Sequence, residues 1–414
     1  MKSTIVLAML MMASGMAHAS AWPSTNQWSQ DWEDKYSKWV DEDFKTDYYV
    51  RGPYGQIKTD CADAVYGARV IFAYENELPF ITTDGFNGKV LTNETTKFDD
   101  TTDSKARFKK FLRYVFEATD TKSLVRDTYS VGINRQQVRA GTVWLQSSKR
   151  PGYLELLFNS IDPKKYPAGH AQIVKGVTDA GVVTLMSSTM PGSVREMKEI
   201  QEYRSMPRDF SGTGFRAWRW PEYYQVAEDK IPGYSNEQYR LKTNSDDAWA
   251  EKATSRLALV IDGKKITETT QQKLDRYANN FCVMARERVG VVLEGEELRE
   301  KLAGRCMNAS QYDDYSTPSR DDSLMISLKR IDAIASQLAN AADGSDDDSS
   351  STGSVDPQRA ALLKCGQLEY KPGTSIDFVT LAKRVSRKQL IADPNVALEA
   401  RWGESRGSST CPQY

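Results

Sequence analysis

The stretch 51–80, RGPYGQIKTDCADAVYGARVIFAYENELPF, constrains this chain more than any other. Gly52, Pro53 and Gly55 make a turn-rich approach. An apolar run then begins at helical spacing, with Val65, Ala68, Ile71, Phe72 and Ala73 along it. A helix this apolar has to be buried, so a domain must be laid around it. Asp60, followed three residues later by Asp63, has the form of a capping box with Asp in place of the usual Glu, and this makes Cys61 the first helical residue. The positive end of a helix dipole favours a thiolate there, against an ordinary thiol pKa of about 8.5. A cysteine so placed is either an activated nucleophile or a buried, inert side chain.

The histidine inventory bears on that choice. His18 and His170 are the two histidines of the chain. His18 falls within residues 1–19, where Lys2, an apolar core over 5–12 and the small-x-small signature Ala17-His18-Ala19 read as a removable signal peptide. The mature chain then starts at Ser20 and keeps one imidazole, in GHAQIVKGV. A cysteine nucleophile needs a base brought to it by the fold, and His170 is the candidate. No later stretch approaches the ~20 apolar residues of a membrane-spanning helix. Lys plus Arg number 55 and Asp plus Glu 56, a balance that does not suggest a nucleic-acid partner. A periplasmic or secreted protein is expected.

In an exported chain, five cysteines imply disulfides. Local pairing, Cys282–Cys306 and Cys365–Cys411, is the most economical of the three possible pairings of the downstream four, and it leaves Cys61 free. No Cys/His cluster has metal-ligand spacing, so neither a metal nor a cofactor is expected.

Along the chain, Trp28, Trp32, Tyr36 and Trp39 share one helical face. They could grip a sugar ring, but they are read as docking a helix onto the core. Residues 82–104 read as a surface loop able to act as a lid, and 105–119 as an amphipathic helix. Residues 138–145 read as a turn and strand, and 154–158 as a short apolar segment. Strands over 170–177 and 182–188, joined by a turn at 178–181, make residues whose numbers sum to 359 cross-strand partners. His170 and Gln172 then share a face with Ser187 and Thr189, from which a group orienting the imidazole would come. The segment 207–221, with Arg208, Arg216, Trp218, Arg219 and Trp220, interleaves cations and aromatics. It either binds an anionic glycan or closes the domain edge, and the edge reading is preferred. A boundary is placed near Glu228. Beyond it come a hairpin over 257–266, helices over 271–289, 296–307 and 323–340, an acidic Ser/Asp-rich linker over 341–357, and a short helical tail over 358–414.

The order GPY, DCADAV, an apolar helix ending in LPF, RAGTVWL and HAQIV resembles the NlpC-type papain-like cell-wall hydrolases over roughly residues 50–190. The resemblance implies an α+β, papain-like domain over 20–228 with an antiparallel sheet and a nucleophile-bearing helix. A mostly α-helical, disulfide-stabilised module would follow over 229–340. It implies Cys61 as nucleophile and His170 as base, with Tyr54 and Asp60 lining the substrate site; Asp63 beside the thiol and Gln172 beside the imidazole join that expected set. Ser187 stands where the family has its third polar residue. Ala62 and Asp63 replace the Ser and Gly that follow the family's cysteine, and the interval from Cys61 to His170 is longer than in the family. The implied activity is cofactor-free cleavage of amide bonds in peptidoglycan stem peptides or other envelope peptides. A cysteine-dependent acyl- or amidotransferase and a non-catalytic envelope-binding protein are the alternatives. The sequence names no partner for the helical half.

Overall fold

The computed structural model describes residues 20–147, 168–203, 205–343 and 356–414. The expected signal peptide, the apolar run 154–158 and most of the acidic linker lie outside the described residues. In chain order the first half contains α1 (Gln30–Glu42), α2 (Tyr48–Arg51), α3 (Cys61–Glu75), the paired strands β1 (Ile81–Thr83) and β2 (Val90–Thr92), α4 (Ser104–Ala118) and α5 (Thr121–Asp127). Then come β3 (Thr128–Ser130), β4 (Val143–Ser147), β5 (Ala168–Val177), β6 (Val183–Ser187), β7 (Lys198–Ile200) and β8 (Gly214–Trp218). These last six form one antiparallel sheet in the order β3-β8-β4-β5-β6-β7. The architecture is α+β.

Strand alternation divides the sheet into two faces. Val143, Leu145, Ala171, Ile173 and Met186 join α3, α1 and α4 in one core. α3 is central to it and buries every residue from Ala64 to Ala73; all but Arg69 are apolar or aromatic, and the Arg69 guanidinium is paired with Glu33. The aromatic stripe of α1 docks here, with Trp28, Trp32, Tyr36 and Trp39 all packed around Phe72. Residues 82–104 do not form a free lid. Gly85 N–H donates to Ala118 O (2.9 Å), and Phe98 packs on Phe111 and Tyr114, so the segment is pinned to α4. The segment 207–221 does not close an edge either. It supplies β8, an interior strand, in which Arg216 is fully buried and bonded to Thr128, Val125 and Glu228.

Trp144, Val174, Val183, Leu185 and Phe215 point to the other face, into a second core shared with the C-terminal half. That half comprises α6 (Glu237–Arg240), α7 (Asp246–Leu257), the hairpin β9 (Val260–Ile261) and β10 (Lys264–Lys265), α8 (Thr270–Leu302), α9 (Ala309–Tyr315) and α10 (Pro318–Asp343). α11 (Pro357–Leu363), the hairpin β11 (Gln367–Lys371) and β12 (Thr374–Asp377), α12 (Phe378–Ser386) and α13 (Leu398–Arg401) complete it. The β9–β10 turn has Asp262 and Gly263 at φ +50° and +76°, the mirror-image turn that Asp-Gly favours. At the turn between β5 and β6, Gly181 has φ +82°, and a Cβ there would lie 2.0 Å from Thr254 O of α7. The turn therefore butts directly on α7 backbone.

Two expectations about this half are overturned. Residues 271–289 and 296–307 do not make two helices: α8 runs unbroken for 33 residues. The local disulfides are absent for the same reason. From Cys282 to the end of α8 the helix rises about 30 Å, whereas a disulfide spans Cα atoms about 6 Å apart. Cys282 instead bonds Cys365 and Cys306 bonds Cys411, so that the C-terminal segment is stapled to both the middle and the end of α8; Cys61 is the free cysteine. Among the described residues no helix is long and apolar enough to cross a membrane.

Candidate functional site

Cys61 opens α3 as its sequence predicts. Asp63 N–H donates to Asp60 Oδ1 and Asp60 N–H to Asp63 Oδ2, both at 2.9 Å, which closes the capping box. Caps of this kind contribute about 1 kcal/mol and set the angle at which the chain enters the helix. Just before it, Thr59 is fully buried and tied to the segment that follows β6. Its Oγ1 shares a 2.7 Å hydrogen bond with Ser188 Oγ, and its N–H donates to Ser193 O at 3.2 Å. The first turn of α3 is thus held against the end of β5–β6.

The electrostatics are the reverse of those expected at a helix start. The Cys61 residue is only 6 % exposed. Burial pushes its thiol pKa up to about 12, and the Asp60 and Asp63 carboxylates push in the same direction. Hydrogen bonds from the main chain of Ala171 and Ala62 act the other way and are outweighed. The dipole favours a thiolate by at most ~2 kcal/mol, less than desolvation costs a buried anion. At rest the group is a neutral thiol. The Asp63 carboxyl is likewise held above the usual carboxylate range, first by burial and then by Asp60.

His170 stands on β5 beside Ala171, the residue whose main chain meets the thiol. Its Nε2 lies 3.4 Å from Ser187 Oγ on β6, so the structure brings together the two residues that the hairpin register placed on one face. The register itself holds at Ile173↔Met186 and Val174↔Leu185, then slips by one residue at a bulge next to Lys175. Gln146 faces His170 and Trp144 faces Gln172 across β4–β5. Trp144 belongs to the second core, so His170, Gln172 and Ser187 lie on that side of the sheet. A Cys61–His170 pair requires the start of α3 to meet that face. α3 packs instead on the face of Ala171 and Ile173, because the alternate apolar residues of β5 and the apolar helix bury one another.

Tyr54 is not brought to the thiol. Its ring packs 5.1 Å from Phe108 and 6.2 Å from Tyr74, and its hydroxyl faces Glu75 at the far end of α3. Tyr74 lies 13 residues after Cys61, about 20 Å along the helix. Asp60 and Asp63 do flank the thiol, while Gln172 is buried on the opposite face of β5. The sequence reading missed the two contacts that seat Cys61, the Ala171 main chain and the Thr59–Ser188 bond. Main-chain contacts carry no residue signature, and a Thr–Ser pair 129 positions apart leaves no local pattern. Among the described residues no group of three or more His, Cys, Asp or Glu side chains could hold a metal ion. Comparison of the chain with protein-family models, with curated proteins and with solved structures gives no match.

Proposed function

We propose that this chain is an exported, cysteine-dependent amide hydrolase of papain-like, NlpC-type arrangement that cleaves peptide or peptidoglycan stem-peptide bonds. The observation that carries the reading is local. The one free cysteine among the described residues opens a buried helix, and its sulfur rests on the main chain beside His170, whose ring is met by Ser187. With a neutral thiol at rest and His170 on the opposite face of β5, the start of β5 must turn the imidazole to the sulfur on substrate binding; His170 then acts as general base and removes the proton as the sulfur attacks the carbonyl, rather than sharing a preformed ion pair. The Cys61 N–H, unbonded within a helix at its first position, would help to hold the oxyanion. His170 then returns the proton to the leaving amine, and water resolves the thioester. Two disulfides fit an oxidising compartment outside the cytoplasm.

A second reading is a non-catalytic envelope scaffold. The buried, high-pKa thiol and the packing of α3 on the Ala171 face favour it. Digestion of purified peptidoglycan by the wild type, Cys61→Ala and His170→Ala, read by mass spectrometry, separates the two. Fragments released by the wild type and lost in both variants support the hydrolase. No release by a folded wild-type protein leaves the scaffold. Fragments carrying a new amide in place of a free carboxylate would reassign the thioester chemistry to transfer.

A further inference from the structure

A cleft of about 500 Å³ opens where β3 and β8 meet the start of β4, and neither Cys61 nor His170 lines it. Five aromatic rings do: Tyr36, Tyr129, Trp218, Trp220 and Tyr223. Tyr36 and Trp218 are buried and form its floor, whereas Tyr129, Trp220 and Tyr223 are half-buried and leave ring surface in the opening. The Trp220 and Tyr223 rings lie 5.9 Å apart at an interplanar angle of 30°. The Trp220 indole N–H donates to Glu33 Oε1 at 2.7 Å. Glu33 is itself gripped through two bonds, 2.6 and 3.0 Å, by Arg69, whose guanidinium lies 3.2 Å from the Trp28 ring centre. The polar edge of the indole is therefore fixed inward, which presents its face as a preorganised platform.

The charges of the cleft narrow the ligand class. Its charged lining groups are Glu33 and Arg139, and each is already paired, with Arg69 and with Asp34. An ionic ligand would meet no free counter-charge there while losing its own hydration. The rim adds amide side chains: those of Asn134 and Gln137 are bonded to each other and to main chain, which fixes them in place, and the exposed Gln136 amide can both donate and accept. We infer that this cleft binds a neutral saccharide. The apolar C–H face of a pyranose ring covers Trp220 and Tyr223, and ring hydroxyls, donors and acceptors at once, match the amide rim. A polyproline-type peptide also seeks aromatic grooves, but its proline backbone offers acceptors only and cannot donate to the Gln136 amide oxygen, as a sugar hydroxyl can. The volume suits a short oligosaccharide.

The inference stands apart from the amide-hydrolase reading and is tested in the full Cys61→Ala chain, where hydrolysis plays no part. Calorimetric titration uses an N-acetylglucosamine tetramer, cellotetraose and a proline-rich peptide as probes. Saturable binding of at least one oligosaccharide is expected, weakened about three- to tenfold by Tyr223→Ala and by Trp220→Ala. If loss of the Trp220–Glu33 bond prevents folding of Trp220→Ala, Tyr223→Ala decides alone, since that ring lies at the surface and its variant keeps the wild-type melting temperature. Three results overturn the inference: no binding of either oligosaccharide at millimolar concentration, undiminished binding by Tyr223→Ala, or preference for the peptide.

Discussion

Raising the pH over the native protein interrogates Cys61 directly. Burial sets its pKa to about 12, against 9.0 for an unperturbed thiol. At pH 8 the thiolate fraction is then about 10⁻⁴ in the native state and about 10⁻¹ in the unfolded chain, so native alkylation runs about 1,000-fold slower. The same shift acts on stability. The folded state holds the thiol proton more tightly than the unfolded state, so this contribution is fully present below pH ~9 and is lost as pH rises toward ~12. At 1.36 kcal/mol per unit it amounts to at most about 4 kcal/mol. The assay is iodoacetamide labelling followed by intact-mass spectrometry from pH 7 to 11, in buffer and in urea with the disulfides intact, and with Cys61→Ser as the blank. The native rate should climb tenfold per pH unit without levelling off up to pH 10, and urea should restore the ordinary rate. A native rate that levels off below pH 8 would refute the argument, since it would mean that a charged partner outweighs burial around the sulfur.

Three further perturbations follow from the packing. Asp63→Asn should match the wild type within about 1 kcal/mol near pH 4, where the carboxyl holds its proton, and be the more stable of the two at pH 7. It should also flatten the wild-type loss of stability as pH rises from about 4 through neutrality, because a raised carboxyl pKa stabilises the fold only while the proton stays on; urea melts across that range report it. Arg288→Ala should cost about 3–5 kcal/mol in the same melts. It leaves Asp321, 2.5 Å from Nε, without its cation and the main-chain oxygen of Ile391 without a donor, and it takes one of the two donors from Arg401 O. Gly181→Ala should cost at least about 2 kcal/mol in thermal unfolding, since both the left-handed backbone and the α7 carbonyl oppose a Cβ.

Local chemistry wrote much of this protein into its sequence. The Asp60–Asp63 cap, the burial of α3, the aromatic face of α1, the Asp-Gly hairpin and the β5–β6 register on the His170 side of its bulge depend on residues close in the chain, and each was legible there. So was the free state of Cys61. The β11–β12 hairpin was missed although Leu368 and Tyr370 alternate before Pro372-Gly373, a signal that a search for helical spacing passes over. Other features had no local determinant. A charged, aromatic segment such as 214–218 looks peripheral until Thr128 and Glu228 are seen to bind Nε and Nη2 of Arg216 inside the sheet. Disulfide partners follow from which segments meet, and an unbroken α8 carried Cys282 and Cys306 too far apart to meet each other. The thiol shows the division most clearly. Sequence placed Cys61 at a helix start, where the dipole favours its anion. Only the tertiary structure closed the protein over it and set Asp60 and Asp63 beside it, and desolvation in a low-dielectric interior outweighs a helix dipole.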